Sequence, residues 1–530
     1  MVILTFLLNL IIFILVLGII IVLHELGHFT MAKKFNVLCH EFSIGMGPAL
    51  FQKKKGETTY SIRAIPIGGY VSIAGEDNDD AFFNVGDTLG LRLDQNDKVK
   101  AIVMHEALPY DVIGKVVSFE IFDCDRDELH IELELEDASK VRYLVLEDAK
   151  YHYAEKKEMQ IATKERSLSQ KPKWQRFVVL FAGAFMNFVL ALFLFILGYA
   201  LVGKPVEAAK VKKIDPKGPL AHSVIKNEKD FMIEEINGVT VTNWKKVLEE
   251  IQKYPGETIN LKIEGKEELI NFTTRVDVNM LGISNYNEDD NEVNIEPLVI
   301  GKVFGIGNYS DLKAKDKITK INDIPVTNWQ ELIDQIFTIL NVEEVQNVKD
   351  IEVTIEYIRE GKTGVTKYKK LFPLTTFDGQ GAPYSQVYIG VERATKFNLG
   401  FAFAAGATKF GNDAITIFRV LGALFTPKTS GISVTDLAGP IGIFNIIAQV
   451  REGGFVAIVL FMGFLSVNVG IVNLLPIPAL DGGRILFLAI EAVTRKPLNK
   501  KVETWANNIA FLLLMGLFVL IMIFDVMKLF

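Results

Sequence analysis

Four long apolar blocks dominate the pattern of hydrophobic and polar positions along the chain. They cover roughly residues 2–23, 178–201, 455–475 and 508–528. Each block is long enough to cross a hydrocarbon layer about 30 Å thick as a helix. The pattern therefore predicts an α-helical polytopic membrane protein with about four transmembrane helices.

A fifth apolar block, residues 397–426, differs from the other four because charged residues interrupt it. Lys409, Asp413 and Arg419 lie among its apolar positions. We interpret the region 394–450 as an amphipathic segment that lies at the membrane surface.

Lysine and arginine residues predict the orientation of the spans. They cluster after the first span, before the second span, and between the third and fourth. The residues are Lys33, Lys34, Lys53, Lys54, Lys55, Lys164, Arg166, Lys171, Lys173, Arg176, Arg484, Arg495, Lys496, Lys500 and Lys501. The positive-inside rule places these flanks in the cytoplasm. Both termini and the segment 202–454 are then expected to face outward.

The outward segment contains an internal repeat. "INGVTVTNWKKVLEEI" at 236–251 returns as "INDIPVTNWQELIDQI" at 321–336. Each copy predicts a strand, a tight turn, a short strand and an amphipathic helix. This order resembles a PDZ domain, in which an extended peptide adds to an open sheet edge; another small β-rich repeat is the alternative. We expect α/β PDZ domains at 204–280 and 281–393.

Strict alternation of apolar and polar residues marks another region. "DELHIELELED" at 127–137 is typical of half-buried strands. We predict a small cytoplasmic β-rich insertion at 78–165. It separates the first membrane region, 1–77, from the second span at 166–203, and the last two spans occupy 451–530.

Composition narrows the class of protein further. The 530 residues are 49% hydrophobic and carry a formal net charge of −7. The chain is too apolar for an ordinary soluble enzyme, and nothing in its charge indicates a nucleic-acid partner. Only two cysteines occur, Cys39 and Cys124, which argues against a disulfide scaffold and a cysteine metal site.

A hydrolytic motif stands at the end of the first apolar block. In "HELGH", His24 and His28 are four residues apart and share one face of a helix. This spacing suits two zinc ligands, and Glu25 is placed to take a proton from metal-bound water. Because polar residues at the end of a lipid-buried helix are costly, we interpret the motif as a metal site and not as a chance match.

The best candidate for a third ligand follows the third span, in "NLLPIPALDGGR" at 473–484. Pro476 and Pro478 cannot continue a helix, and Asp481 is the only acid between Glu452 and Glu491. Broken backbone at membrane depth needs protein or water to satisfy it, and an acid there needs a cation. The alternative is that Asp481 is a helix cap or turn residue at the cytoplasmic surface.

Three stretches together resemble the site-2 protease family of intramembrane zinc metalloproteases. They are His-Glu-x-x-His at 24–28, "NLLPIPALDGG" against the family's Asn-x-x-Pro-x-Pro-x-Leu-Asp-Gly, and "GAFMN" at 183–187 against Gly-x-x-x-Asn. "IRAIPIGGYVSIAGED" at 62–77 also resembles the family's membrane-associated β-hairpin. Tandem PDZ domains between the second and third spans resemble the bacterial subgroup, of the regulator-of-sigma-E protease type.

The resemblance implies roles for individual residues. His24, His28 and Asp481 match the ligands of one zinc ion per chain, and Glu25 matches the catalytic glutamate.

Four further residues are expected to bind substrate. Asn187 and Asn473 match family positions near the active site, although from the sequence alone either could instead join spans by hydrogen bonding. A β-hairpin at 58–75 is expected to offer an edge strand to an unwound substrate. Gly68 and Gly69 would allow its backbone to come close.

The expected function is cleavage of membrane-spanning segments. Substrates would be single-span proteins already trimmed by another protease, such as anti-sigma factors, or signal-peptide remnants. We expect a multi-pass protein of the bacterial plasma membrane, with its PDZ domains outside and its active site near the cytoplasmic side. The alternatives are a PDZ-bearing membrane adaptor with a degenerate site, and a channel or transporter, which the lack of an inverted repeat disfavours.

Overall fold

The computed structural model describes residues 2–76, 83–104, 108–122, 128–154, 157–287, 292–304, 310–341, 351–371, 385–424, 437–496 and 498–527. The chain forms two compact units. The first combines Met1–Leu194 with Ala438–Phe530, and the second is Phe195–Leu437.

The described α-helices are α1 (Val2–Lys34), α2 (Lys173–Val202), α3 (Trp244–Ile251), α4 (Trp329–Asn341), α5 (Leu399–Leu424), α6 (Pro440–Glu452), α7 (Gly454–Asn473), α8 (Asp481–Thr494) and α9 (Lys500–Met527). Short 3-10 helices cover Lys164–Arg166, Leu168–Gln170 and Pro219–His222.

The strands of the first unit are β1 (Cys39–Lys55), β2 (Thr58–Ile73), β3 (Thr88–Leu93), β4 (Val99–Val103), β5 (Val112–Glu120), β6 (His130–Glu134), β7 (Lys140–Ala154) and β8 (Lys157–Gln160). Those of the second unit are β9 (Lys204–Pro205), β10 (Val211–Ile214), β11 (Ile233–Ile236), β12 (Val239–Thr240), β13 (Thr258–Ile263), β14 (Ile270–Thr273), β15 (Arg275–Val278), β16 (Ile283–Ser284), β17 (Tyr286–Asn287), β18 (Glu292–Val293), β19 (Lys302–Val303), β20 (Lys317–Ile321), β21 (Ile324–Pro325), β22 (Ile351–Arg359), β23 (Lys362–Leu371), β24 (Gln386–Tyr388), β25 (Val391–Arg393) and β26 (Thr395–Lys396).

Four described helices, α1, α2, α7 and α9, are long and apolar enough to cross a membrane. This finding confirms the polytopic membrane character predicted from the apolar blocks. Helix α1 continues past the apolar run and ends with Lys33 and Lys34 in its last turn, where basic residues stabilise a helix. The fifth apolar block forms α5, in which Lys409 Nζ pairs with Asp413 Oδ1 at 2.7 Å.

Helices α1 and α2 approach each other closely where they cross. A Cβ atom at Gly27 of α1 would lie 2.3 Å from the carbonyl oxygen of Ala182 in α2. Only glycine fits such a contact, so Gly27 lets the two backbones meet. The crossing places α2 directly beside the turn of α1 that carries His24 and His28.

Strands β1 and β2 pair with each other on two sides. Phe42 of β1 is in register with both Val71 and Tyr60, and Phe51 is in register with Ile62. The sequence predicted a separate β-hairpin at 58–75, and the structure does not form one there. Each half of β2 instead pairs with β1, and this folding back is possible because Gly45 and Gly68 adopt positive φ angles of 85° and 94°.

The insertion after β2 is β-rich, as predicted. Strands β3 to β8 form a sheet in the order β4-β3-β5-β6-β7-β8, and a further parallel pairing of β4 with β7 closes it on itself. Its buried core includes Leu91, Ile102 and Leu133. Of the two cysteines, Cys39 in β1 is buried, whereas Cys124 lies outside the described residues.

In the second unit, the repeated Val-Thr-Asn-Trp has one structural role in both copies. The side chains of Asn243 and Asn328 accept hydrogen bonds from the N–H groups of Lys246 and Glu331 at 2.9 Å. Each asparagine therefore caps the helix that follows. The tryptophans that begin α3 and α4 are buried in the two cores.

The first repeat is completed by strands that follow the second repeat in sequence. Strand β25 pairs with β10, and β26 pairs with β9. The second repeat, built around β20, β22 and α4, is inserted between β14 and β25. Local periodicity cannot indicate such pairing, because the partners are about 180 residues apart.

Candidate metal centre and active site

The two histidines of the first span lie together, as their helical spacing predicts. His24 and His28 are buried, and their Nε2 atoms are 3.2 Å apart. His28 Nδ1 lies 2.8 Å from the carbonyl oxygen of Val179 in α2. A carbonyl only accepts, so Nδ1 of His28 carries the proton and Nε2 presents its lone pair to the site.

The Nδ1 atom of His24 also contacts a polar group of α2. This atom lies 3.3 Å from the side-chain amide of Asn187, which is completely buried. Asn187 Oδ1 has no hydrogen-bond partner among the residues that the structure describes. Turning the amide so that Oδ1 accepts the Nδ1–H of His24 gives this oxygen a donor, and Nε2 of His24 then also presents a lone pair to the site.

Asp481 is the first residue of α8, at the end of the broken stretch after α7. Its Oδ2 atom lies 3.1 Å from His24 Nε2 and 3.2 Å from His28 Nε2. The turn that precedes α8 packs tightly against the first residues of this helix. A Cβ atom at Gly482 or at Gly483 would lie 2.3 Å from the carbonyl oxygen of Leu475 or Ile477.

The chemistry of these three groups fits a zinc ion. Two imidazole lone pairs and a carboxylate repel one another unless a cation lies between them. Asp481 Oδ2 is buried and, within the described part of the chain, has no hydrogen-bond donor. Ligands about 2.0–2.1 Å from a tetrahedral zinc are about 3.4 Å apart. The separations between the three atoms are close to that value, so His24, His28 and Asp481 could hold the metal.

Glu25 lies between the histidines and the ribbon formed by the paired strands β1 and β2. A Cβ atom at Gly69 of β2 would be 3.4 Å from Glu25 Cγ, and the backbone N–H of Val71 lies near the Glu25 carboxylate. The neighbouring Gly68 contacts the side chain of Met46. The carboxylate therefore lies beside both the metal candidates and the backbone of β2.

The structure brings together most of the residues that the sequence singled out. Asn187 contacts a histidine rather than an open surface, and Gly69 lies against Glu25. Asn473 is the last residue of α7.

Sequence reasoning did not assign roles to Gly27, Val179 or Ser466, whose hydroxyl donates to the carbonyl oxygen of Asn187 at 2.8 Å. A small residue inside an apolar span was the available signal for Gly27. The other two contacts depend on which spans pack together.

Comparison with known proteins agrees with this site. The model of peptidase family M50 matches residues 12–517. The chain belongs to peptidase family M50. It is 28% identical to the zinc metalloprotease RasP of Shouchella clausii and 28% identical to the regulator of sigma-W protease RasP of Bacillus subtilis, over 98% of both chains in each case. It is 27% identical to the putative zinc metalloprotease SA1105 of Staphylococcus aureus, over 99% of this chain and 100% of the relative.

These matches identify the enzyme class and its cofactor. The M50 protein described here is a membrane-bound zinc metalloprotease of the site-2 protease type, and zinc is its cofactor. The resemblance stated from the three sequence motifs is confirmed.

Proposed function

We propose that this M50 protein is an intramembrane endopeptidase that cuts the membrane-spanning segments of single-span proteins. The observation that carries the proposal is that Asp481 meets His24 and His28, with Glu25 beside them, at a helix apolar enough to span a membrane. Trimmed anti-sigma factors and signal-peptide remnants are the proposed substrates. The name of the Bacillus subtilis relative, regulator of sigma-W protease, supports the first of these.

In this proposal, His24, His28 and Asp481 hold zinc, and Glu25 moves the proton. Zinc, when bound, polarises the peptide carbonyl and lowers the pKa of water enough for attack at neutral pH. Glu25 accepts the proton from the attacking water and delivers it to the leaving amine. The backbone N–H of Val71 lies near this carboxylate and is placed to orient it.

The substrate is proposed to bind as an extended strand along β2. A helical peptide resists cleavage because its amides are hydrogen-bonded and covered, so it must unwind first. The backbone at Gly68 and Gly69 offers it an edge beside Glu25. Asn473 remains a candidate for binding freed backbone groups, and Asn187 is better placed to orient His24.

The outer region is proposed to be a tandem of PDZ domains that controls access to the site. Its two repeats each combine a four-stranded sheet with a helix, and the basic flanks of the spans support a position outside the cell. We favour a gate that excludes substrates with bulky outer domains. Delivery of a trimmed substrate by its new C-terminus is the alternative.

Membrane proteomics tests the proposal as a whole. Cells with the Glu25→Gln protein should accumulate membrane-spanning stubs that wild-type cells remove. A protein that only tethers partners would leave the stubs unchanged, and its purified form would lack zinc. If wild-type cells contained as many membrane-spanning stubs as the Glu25→Gln cells, intramembrane cleavage would be contradicted.

A further inference from the structure

Helix α8 has to hold Asp481 at a fixed place relative to the edge of β2. The two come from opposite ends of the sequence, since β2 ends at Ile73 and α8 begins at Asp481. Packing of Gly482 and Gly483 against the preceding turn fixes the start of α8 relative to α7. It does not fix α8 relative to β2.

An ion pair makes that second connection. Arg484 lies one turn after Asp481 on α8, and its guanidinium contacts the carboxylate of Glu76. Glu76 lies three residues after the end of β2, and the N–H of nearby Ala74 donates to the carbonyl oxygen of Leu38 at 2.9 Å. Glu76 is therefore tied to the ribbon that places Gly69 against Glu25.

The partial burial of this ion pair favours a role in positioning α8 and β2 over a large contribution to the stability of the fold. The side chains of Arg484 and Glu76 are 28% and 19% exposed. Pairs removed from water gain little net stability, because desolvation offsets their attraction. The planar guanidinium nevertheless fixes direction as well as distance.

A second ion pair on the same helix serves as a comparison. Glu491 lies seven residues beyond Arg484, and its Oε2 atom is 2.9 Å from Arg176 Nη1 at the start of α2. These two side chains are 18% and 24% exposed. The Glu491 pair ties α8 to α2, and in the part of the chain that the structure describes Glu491 forms no ion pair with β2.

We propose that Arg484 and Glu76 are positioning residues that set which peptide bond of the substrate is cut. This inference rests on the proposed binding of substrate along β2. Neighbouring residues of a strand are about 3.3 Å apart and face opposite sides, so a small shift of β2 relative to Asp481 brings a different carbonyl to the metal. The ion pair holds the two elements in one register.

The test compares cleavage sites in purified, zinc-loaded full-length protein. The probe is a single-span peptide with about 20 apolar residues, and mass spectrometry locates the cut. Glu76→Gln and Arg484→Gln should lower kcat by up to about 100-fold and spread the cut over neighbouring bonds. Zinc content should stay at the wild-type level, and Arg484→Lys should restore part of the rate and of the single site. Glu491→Gln, the matched control, should keep the wild-type site.

Hydrogen exchange of the amides at 69–73, measured without substrate, separates the two proposals. Faster exchange in Glu76→Gln and Arg484→Gln but not in Glu491→Gln supports the connection to β2. If the wild-type protein cut no single-span peptide while exchange changed as expected, the proposed function would fail and the connection would stand. If cleavage occurred with an unchanged site and unchanged exchange in both variants, the register role would be wrong.

Discussion

Gly183 of α2 lies so close to His28 of α1 that a Cβ atom at Gly183 would be 2.2 Å from the imidazole Nε2. The same atom would be 2.8 Å from Cε1 of His24. One turn later on α2, the Asn187 amide contacts His24 Nδ1. The spacing Gly-x-x-x-Asn therefore gives α2 one face that seats both imidazoles.

Substitution of Gly183 tests its close contact with the His28 ring. Gly183→Ala should displace His28. The added methyl group would overlap the imidazole ring, which cannot move aside without losing its hydrogen bond to the Val179 carbonyl oxygen. We expect most of the zinc to be lost and cleavage to fall at least about 100-fold, although alanine favours a helix more than glycine does. Metal analysis and a peptide-cleavage assay measure both effects.

Gly18→Ala is the matched control, since a Cβ atom at Gly18 of α1 would meet nothing within 4 Å. It should keep zinc and activity. A Gly183→Ala protein with full zinc content would contradict the contact.

Asn187 is predicted to act on the metal through His24. Asn187→Leu removes the acceptor for Nδ1–H and should weaken zinc binding by about 10- to 100-fold. Asn187→Asp keeps an oxygen there and should retain most of the affinity. Competition with a zinc chelator gives the dissociation constants. If Asn187→Leu raised KM for the test peptide and left zinc affinity unchanged, the substrate-binding role expected from the sequence would be the right one.

Much of the membrane architecture was predictable because apolar runs are a local signal. The second apolar block was expected at 178–201, and α2 covers Lys173–Val202. The candidate ligand Asp481 was also recognisable, since an acid after two helix-breaking prolines in an apolar region needs a reason. In both cases, the information lies within about 30 residues of chain.

Contacts between distant segments were not predictable in the same way. Nothing near Val391 in sequence indicates that β25 pairs with β10, and nothing near Glu76 indicates Arg484. The double pairing of β1 with β2 was also missed, because alternation indicates a strand but not its partners. The contacts of the site that were not predicted depend in the same way on which distant segments pair.

Cys39 is predicted to be unreactive in the folded protein. It is fully buried, and burial raises the pKa of its thiol to about 11. Because the thiolate is the reactive form, alkylation at pH 8 should be on the order of 100-fold slower than for an exposed thiol, and it should accelerate as the pH approaches 11. Iodoacetamide labelling of a Cys124→Ser protein, with and without denaturant, measures this. Equal rates in the two conditions would show that Cys39 is accessible.

The proposed topology predicts which sites can be labelled from outside the cell. In a background without Cys39 and Cys124, cysteines at Lys245 and Val224, whose side chains are exposed, should react in intact cells. A cysteine at Gln95 of the β-rich insertion should react only after permeabilisation. The reverse pattern would invert the orientation.

His24, His28 and Asp481 are proposed to hold the catalytic zinc, while Glu25 carries the proton. The most direct measurement is zinc content together with peptide cleavage for purified Asp481→Ala and Glu25→Gln proteins. Asp481→Ala should lose both zinc and cleavage, because two imidazoles alone hold the metal weakly. Glu25→Gln should keep one zinc per chain and lose at least about 100-fold in cleavage rate. An Asp481→Ala protein with full zinc content and full activity would contradict the claim.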